Sequence, residues 1–344
     1  MSGDAREPVA EATRPLRAGK IPSDLLARLL ADLPPAPPEL LLGPRVGEDA
    51  CAIELPGGIL IAAADPITLS SEDIGRSAVI VNANDVAVTG GRPRWFLAVI
   101  LVPPGTEESV VVDLFAAVQR AVAEVGASFV GGHTEVTPVV TRPVVVGQML
   151  GLAEAGKFTA TGCLVAGSVL VQVGPAPIEG AALLAREADG RLGSVDPSAL
   201  ATAQAALDRP GISIVEPALL AARLGAVALH DPTEGGLATG LHELAHASGV
   251  RLRVDPDAVL WFEAGVAVCR ELGADPWATL ASGTLLAAFP EDRVDAALAA
   301  FAEADYPAAA IARAEPGSGV DDGTSAIPWP ERDEVDRVLL ALGD

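Results

Sequence analysis

Lysine is nearly absent from this chain of 344 residues, which contains only Lys20 and Lys157. No Gly-x-x-x-x-Gly-Lys-Ser/Thr segment occurs, so the sequence predicts no lysine-centred P-loop. Cysteine is also scarce, because Cys51, Cys163 and Cys269 are the only three and lie far apart. That number and spacing fit neither a disulfide framework nor a cysteine metal site, and they favour a reducing, cytoplasmic environment.

Long apolar runs are missing although half of the residues are apolar. The longest candidate, Trp95–Pro103, has the length of a strand, whereas a membrane-spanning helix needs roughly 18 to 20 apolar residues. Residues 1–19 mix acids, arginines and prolines without a continuous apolar segment. We therefore expect no membrane span and no signal peptide, and we predict that residues 1–19 form a flexible leader.

Acidic residues outnumber basic ones by 46 to 23, which gives a net charge of −23. Such a surface repels a phosphate backbone, so nucleic acid is not an expected partner. ATP is also an anion, and a nucleotide-binding enzyme with this charge needs a divalent metal ion between its carboxylates and the phosphates.

Strand patterns alternate with helix patterns along the chain, which predicts α/β or α+β layering. The first half shows two strands, a helix, a third strand and a long helix: Cys51–Leu55, Ile59–Ala64, Ile74–Val88, Trp95–Val102 and Glu107–Val125. A second unit begins near residue 157 and is rich in Ala/Leu helices. The predicted organisation is therefore a leader, a first domain over 20–156 and a second domain over 157–344.

The segment Asn82-Ala83-Asn84-Asp85 interrupts the apolar pattern of the predicted helix 74–88. Asn and Asp are poor helix formers, and a helix selected only for stability would carry Ala or Leu there. A buried Asp85 without a cation or donors would cost several kcal/mol. The alternative is a polar helix face, but the pattern favours a functional role for Asn84 and Asp85.

Two shorter acidic signals precede that helix. Gly47-Glu48-Asp49 lies in the loop before the first strand, and Asp65 ends the second strand directly before Pro66. Each of them, taken alone, fits a solvated turn equally well.

Two glycine-containing segments follow apolar strands. In Gly131-Gly132-His133-Thr134-Glu135, the paired glycines permit close backbone approach and expose N–H groups to an anion, although a plain turn is the alternative. His230-Asp231-Pro232-Thr233-Glu234-Gly235-Gly236-Leu237 joins a strand to a helix, so the amides of the helix N-terminus are available for phosphate.

His242 and His246 lie one turn apart on the helix that follows. This spacing suits zinc, but no HExxH segment and no third ligand accompany it. We interpret both histidines as structural residues.

The order of these motifs resembles the AIR synthase (PurM) superfamily, and within it the HypE-like hydrogenase maturation proteins. Gly19-Lys20-Ile21-Pro22, Gly43-Pro44-Arg45, Asp73-Ile74-Gly75 and Glu179-Gly180 agree as well, so the resemblance runs from about residue 18 to 340. It implies a PurM-like two-domain fold with an N-terminal α/β domain and a C-terminal α+β sandwich. It also implies a homodimer with a β-barrel-like interface, ATP near that interface, and a protein partner in a maturation pathway.

The resemblance also implies roles for individual residues. The residues expected to hold Mg²⁺ are Glu48, Asp49, Asp65 and Asp85. The residues expected to hold ATP are Asn84, Gly131, Gly132, Thr134, Asp231, Gly235 and Gly236. The residues expected to act in catalysis are His230, His133 and Asp85. His133 stands where several relatives have aspartate, and Mg²⁺ prefers oxygen, so we do not expect His133 to replace that ligand directly. The chain ends in Leu340–Asp344 without a cysteine, so the terminal-cysteine chemistry of HypE is not expected here.

The leading hypothesis is an ATP- and Mg²⁺-dependent enzyme that activates an oxygen of a small carbonyl, amide or phosphate substrate by phosphoryl transfer. The alternative is a nucleotide-binding maturation or assembly partner without turnover. A hydrolase with a transition metal at His133, His230, His242 and His246 is the third hypothesis. We further expect Ile59, Ile61, Val99, Leu101 and Val145 to form one apolar sheet face that a second copy of the chain covers.

Overall fold

The computed structural model describes residues 20–68, 73–154 and 157–343, and the predicted leader lies outside these ranges. The described residues form two six-stranded sheets with helices against them, which confirms the expected mix of α/β and α+β layering. The first sheet comprises β1 (Leu40–Leu42), β2 (Cys51–Leu55), β3 (Gly58–Ile67), β4 (Arg92–Val102), β5 (Ser128–Val136) and β6 (Val144–Ala153). The second comprises β7 (Val169–Val173), β8 (Ala228–His230), β9 (Arg251–Val254), β10 (Leu285–Phe289), β11 (Ala308–Glu315) and β12 (Gly319–Asp321).

Ten α-helices are assigned within the described ranges. They are α1 (Ser23–Ala31), α2 (Ile74–Val88), α3 (Glu108–Glu124), α4 (Glu179–Glu187), α5 (Pro197–Gln204), α6 (Val215–Leu224), α7 (Gly236–Ser248), α8 (Glu263–Glu271), α9 (Val294–Glu303) and α10 (Glu334–Gly343). None of these helices combines the length and the apolar character that a bilayer crossing requires.

The first sheet has the strand order β1-β2-β3-β6-β4-β5, and all of its pairs are antiparallel except β4–β5. Helix α2 packs on one face of this sheet and α3 packs against α2. Alternate residues of β4, such as Phe96, Ala98 and Ile100, are buried on that face. Because side chains alternate across a strand, the face beneath α2 supplies the core of the first domain.

The opposite face of the first sheet is apolar but only partly buried. Its strands present Leu97, Val99 and Leu101 from β4 and Val144 and Val146 from β6. The expectation of one face was wrong for Ile59, Ile61 and Val145, which are fully buried and do not lie on this side. They alternate with the partly exposed residues, so the predicted set mixed the two faces of the sheet.

Residues 131–135 were predicted to follow a strand and to expose N–H groups to an anion, with a plain turn as the alternative, but they extend β5 to Val136. Their parallel pairing with β4 brings the backbone of Gly132 so close that a Cβ would lie 1.9 Å from the carbonyl oxygen of Ala98. Gly132 also has φ 144°, a conformation that L side chains rarely adopt. Gly132 therefore allows β4 and β5 to approach each other closely.

Two glycines of β6 set the distance between the first sheet and α2. A Cβ on Gly147 would lie 2.8 Å from the carbonyl oxygen of Ala78, and one on Gly151 would lie 2.3 Å from Cγ1 of Val86. A side chain at either position would push the helix away from the sheet. The polar segment of α2 therefore sits directly on the sheet.

Asn84 joins α2 to the second domain. Its side-chain Nδ2 donates to the carbonyl oxygen of Ile212 (2.9 Å), and its Oδ1 accepts from the backbone N–H of Ile214 (2.9 Å). All three residues are buried. The largest apolar cluster of the described residues is also continuous across both sheets. The two domains are thus docked through both apolar and polar contacts.

The second sheet has the order β12-β9-β11-β7-β10-β8, with β12–β9 as its parallel pair. Strand β8 lies at its edge, and all three of its residues are buried. The chain leaves β8 at His230 and enters α7 through the turn at Gly235 and Gly236. This edge strand therefore directs the His230–Asp231 pair toward the first domain.

Replacing Asn84 by Ala is expected to lower the free energy of unfolding by about 2–4 kcal/mol. The change leaves the N–H of Ile214 and the carbonyl of Ile212 buried without partners, at about 1–3 kcal/mol each. Urea unfolding of the purified variant measures the effect, with Thr202→Ala on the exposed face of α5 as a control that stays within about 0.5 kcal/mol. An unchanged Asn84→Ala protein would show that the amide does not hold the domains together.

Candidate active site

His230 forms the centre of a charged bridge between the domains. Its side chain is 1% exposed, its Nδ1 lies 2.9 Å from Oδ2 of Asp49, and its Nε2 lies 2.9 Å from Oε2 of Glu243. Each contact requires an N–H donor because carboxylates only accept, so the ring carries both hydrogens. Burial by itself would lower the pKa of His230, but Asp49 and Glu243 raise it well above its usual range. Neither nitrogen is free to take a proton.

Asp231 follows His230 and is fully buried. Both of its carboxylate oxygens lack a hydrogen-bond partner among the described residues. Ligand atoms of Asp49, His230 and Asp231 lie within 4.8 Å of one another. Burial, followed by repulsion from Asp49, raises the pKa of Asp231 well above its usual range, although His230 opposes the shift.

Asp85 brings a third carboxylate to this place from α2. It is 4% exposed, and its Oδ2 has no hydrogen-bond partner in the described part of the chain. Burial raises its pKa well above the usual range, and repulsion from Asp231, Asp65 and Asp49 raises it further. Helix α2 contacts β8, so Asp85 and Asp231 lie in the same region of the domain junction.

Asp65 lies at the rim of that region, on an exposed part of β3. Its backbone N–H donates to Oδ1 of Asn82 (2.9 Å), and the Nδ2 of Asn82 donates back to its carbonyl oxygen (3.2 Å). Partial burial of the carboxyl group raises the pKa of Asp65 to about 6, with Lys20 opposing and Asp49 and Glu234 adding to the shift. We call Asp49, Asp65, Asp85 and Asp231 the acidic cluster.

Glu48 adjoins the acidic cluster but is engaged elsewhere. Its two carboxylate oxygens accept from the backbone N–H groups of Thr161 and Gly162, both at 3.1 Å. Burial raises the pKa of Glu48. The described contacts therefore support an anchoring role between the domains and give no support to the metal-binding role expected for it.

Lys20 and Glu243 belong to the site but were not predicted as site residues. The Nζ of Lys20 lies 3.6 Å from Oε1 of Glu243 and 3.4 Å from Oγ1 of Thr233. Burial would lower the pKa of Lys20, but Glu243, Asp49, Glu234 and Asp65 raise it above its usual range. Although burial opposes the shift, Lys20 and His230 lower the pKa of Glu243 to about 2. The sequence signals for Lys20 were the scarcity of lysine and its place in the segment Gly19-Lys20-Ile21-Pro22, and Glu243 had none beyond being an acid in an apolar helix.

The glycine turn before α7 already has an acidic partner. The N–H of Gly235 donates to Oδ2 of Asp333 at 2.6 Å. Burial raises the pKa of Asp333 to about 7, although N–H groups of Gly235 and Val335 oppose the shift. Gly236 has φ 64°, and a Cβ on it would lie 2.6 Å from the carbonyl oxygen of Trp277. The predicted phosphate contact of Gly235 is therefore occupied by a carboxylate in this state.

The remaining predicted residues make other contacts in the described part of the chain. His133 is exposed on β5, where its Nε2 lies 3.6 Å from Oε2 of Glu135, and Gly131, Gly132 and Thr134 share that exposed strand. His242 stacks on Trp329 with ring centroids 5.0 Å apart, and its Nε2 contacts the carbonyl oxygen of Ile327 (2.9 Å). His246 also packs against Trp329. The contacts of these two histidines agree with a structural role.

Hard divalent cations fit the acidic cluster. Mg²⁺ takes oxygen ligands and is commonly held by one or two carboxylates plus phosphate oxygens and water. The orphaned oxygens of Asp85 and Asp231 supply such ligands. A bound cation would also relieve the repulsion that raises the pKa values of these groups.

The AIR synthase related protein N-terminal domain matches residues 47–153, and the C-terminal domain of the same family matches residues 165–322. The chain belongs to the AIR synthase related family. It is 30% identical over 237 residues to carbamoyl dehydratase HypE of Rhodobacter capsulatus, which covers 68% of this chain and 67% of that protein. The selenide, water dikinase of Burkholderia pseudomallei (strain K96243) is 31% identical over 293 residues, covering 83% and 78% of the two chains.

A solved structure of the hydrogenase maturation protein HypE in complex with ATP resembles this family member with a TM-score of 0.65. The two chains are 26% identical, and the match covers 84% of this chain and 86% of that one. The resemblance expected from the motif order is therefore confirmed. Both named relatives are enzymes, so the expectation of an enzyme is confirmed at this level.

Asp85→Asn is expected to raise the free energy of unfolding of the metal-free protein by about 1–3 kcal/mol at neutral pH, because it removes a buried, unpaired charge. The gain should shrink as pH falls. Since burial raises the pKa of Asp85, wild type carries the proton there in acid and then resembles the variant, and it loses relative stability as pH rises through that pKa.

Urea unfolding across the pH range measures this difference, and calorimetry with Mg²⁺ and ATP measures affinity, which should fall in the variant. Asp113→Asn on the exposed side of α3 serves as the control and should change neither quantity. A destabilised Asp85→Asn protein with unchanged ATP affinity would show that Asp85 is structural.

Proposed function

We propose that this chain is an ATP- and Mg²⁺-dependent enzyme that activates an oxygen of a small carbonyl, amide or phosphate substrate by phosphoryl transfer. The observation that carries the proposal is the burial of Asp85 and Asp231, each with a carboxylate oxygen unpaired among the described residues, at the domain junction where ligand atoms of Asp49 and Asp231 lie within 4.8 Å of each other. An arrangement that destabilises the empty protein is a typical feature of a ligand site. The ATP complex of the similar HypE structure supports the nucleotide.

In this proposal, Asp49, Asp85 and Asp231 hold the metal, with Asp65 at the rim of the site. Bound Mg²⁺ supplies charge neutralisation and alignment of phosphate oxygens. His230 fixes the orientation of Asp49 through the 2.9 Å contact, and Glu243 fixes His230 from the other side. The Nζ of Lys20 lies 3.6 Å from Oε1 of Glu243 and is suited to contact a phosphate oxygen. Positioning and electrostatics thus account for most of the chemistry.

The second candidate is a nucleotide-binding maturation or assembly partner without turnover. It is favoured by the state of the two histidines expected to transfer protons, because His230 has both nitrogens engaged and His133 is exposed on β5. Release of ADP from ATP by purified protein, with Asp85→Asn as the blank, separates the candidates. A protein partner and the cytoplasmic location remain predictions.

We further propose a homodimer formed through the first sheet. Its open face carries Leu97, Val99, Leu101 and Val146, and β5 leaves its outer edge exposed. A second copy placed on this face would cover apolar surface that is a liability in a monomer. It would also remove the exposed strand that carries His133 and Thr134 from solvent.

Val99→Glu is expected to produce a folded monomer, because it places a charge in the middle of the open face. Sedimentation equilibrium should give about twice the chain mass for wild type and about one chain mass for the variant. Val112→Glu is the matched control, since Val112 is 57% exposed on α3 and should leave the dimer intact. A monomeric wild type at micromolar concentration would contradict the proposal.

ATP together with Mg²⁺ is expected to stabilise the protein, whereas Mg²⁺ alone should do so much less. Ligand at about 100 times its dissociation constant adds about 2.7 kcal/mol, which is a shift of a few degrees in Tm for a chain of this size. Differential scanning fluorimetry with ATP, ADP and AMP measures it. Absence of any shift at millimolar ATP and Mg²⁺ would rule out the nucleotide site.

A further inference from the structure

A cavity of about 720 Å³ lies in the second domain, between the start of α10, the segment 322–330 and the turn at Trp277. This volume lies within the range of small-molecule sites in proteins. No residue of the acidic cluster is among the described residues that line it. Neither the metal nor the nucleotide of the proposed function accounts for this cavity.

The apolar walls of the cavity are flat and rigid. The ring of Trp277 is fixed edge-on against Trp261, with centroids 5.0 Å apart and an interplanar angle of 83°. Ile327, Pro328 and Pro330 form other walls. Proline rings and a held indole lose little conformational entropy when they contact a ligand, and they favour planar, apolar rings.

The charged walls favour a cation. Four acids, Asp275, Asp322, Glu331 and Glu334, line the cavity against two arginines. One of these arginines, Arg337, is engaged, because its Nε donates to both carboxylate oxygens of Glu334 at 2.9 Å. With that pair set aside, Asp275 and Asp322 still outnumber Arg332, so the lining is negative, and the net charge of −23 adds to it.

The second arginine, Arg332, is held in place. Its Nη2 donates to the carbonyl oxygen of Asp336 (3.1 Å), and its Nε is buried away from the cavity.

We propose that this cavity is a second small-molecule site, which binds a planar ring carrying a positive charge. Trp277 and the prolines contact the ring faces, and the acids select the charge. The site is separate from the acidic cluster, but it adjoins the glycine turn at Gly235 and Gly236 that follows Asp231. Asp333, between Arg332 and Glu334, accepts from Gly235, and Gly236 packs on the carbonyl of Trp277.

Three probes of nearly equal shape test the site: 1-methylnicotinamide, nicotinamide and nicotinate, which are cationic, neutral and anionic. Isothermal titration calorimetry on the full-length protein should show the cation binding at least about tenfold more tightly than the anion, with the neutral amide between them. Equal affinity for the cation and the anion, or no binding of any probe at millimolar concentration, would overturn the proposal.

Ala326→Trp places a bulky ring in the cavity from an exposed position and should reduce affinity for 1-methylnicotinamide at least about tenfold. Ala201→Trp, exposed on α5 in the same domain, is the matched control and should bind like wild type. Each titration is repeated with saturating Mg²⁺ and the non-hydrolysable analogue AMPPNP. Binding that survives the analogue supports a separate site, whereas displacement of the probe by the analogue, or unchanged affinity in Ala326→Trp, contradicts it.

Discussion

Repulsion between buried carboxylates is the constraint around which the rest of the molecule is arranged. Asp85 and Asp231 come from different domains, and Oδ2 of Asp85 and both carboxylate oxygens of Asp231 lack partners among the described residues. Burial, followed by repulsion from Asp231, raises the pKa of Asp85. Such groups separate or take up protons unless the surrounding structure holds them. The absence of side chains at Gly147 and Gly151 lets α2 lie directly on the first sheet, and the contact with His230 keeps Asp49 beside Asp231. Each of these contacts keeps acids together that would otherwise move apart.

Much of the fold was predictable because it follows from local periodicity. Helix α2 and strand β2 both have the predicted limits. The short strands β1, β9 and β12 were not predicted, because three or four residues carry too little pattern to separate a strand from a loop. The extension of β5 through Gly131–Glu135 was also missed, since glycines indicate a turn unless a neighbouring strand accepts them.

The acidic residues of the site could be predicted from the sequence, but their hydrogen-bond partners could not. Asp85 stood out as a charge inside an apolar helix, and the structure buries it as expected. The engagement of Glu48 with Thr161 and Gly162 depends on contacts across more than 100 residues of sequence, which no local pattern carries. Glu243 could not be predicted for the same reason, because its role depends on the contact with His230, which the tertiary fold creates.

Asn84 has a consequence for how the sequence of such a protein is able to vary. Its amide contacts only main-chain atoms, the carbonyl of Ile212 and the N–H of Ile214. Main-chain atoms are the same for nearly all residue types, so positions 212 and 214 are free to exchange one apolar side chain for another without loss of the contact. Position 84 has no such freedom, since a donor and an acceptor of that length are found together in few side chains. Domain docking through this contact therefore restricts the residue type at position 84 and not at positions 212 and 214.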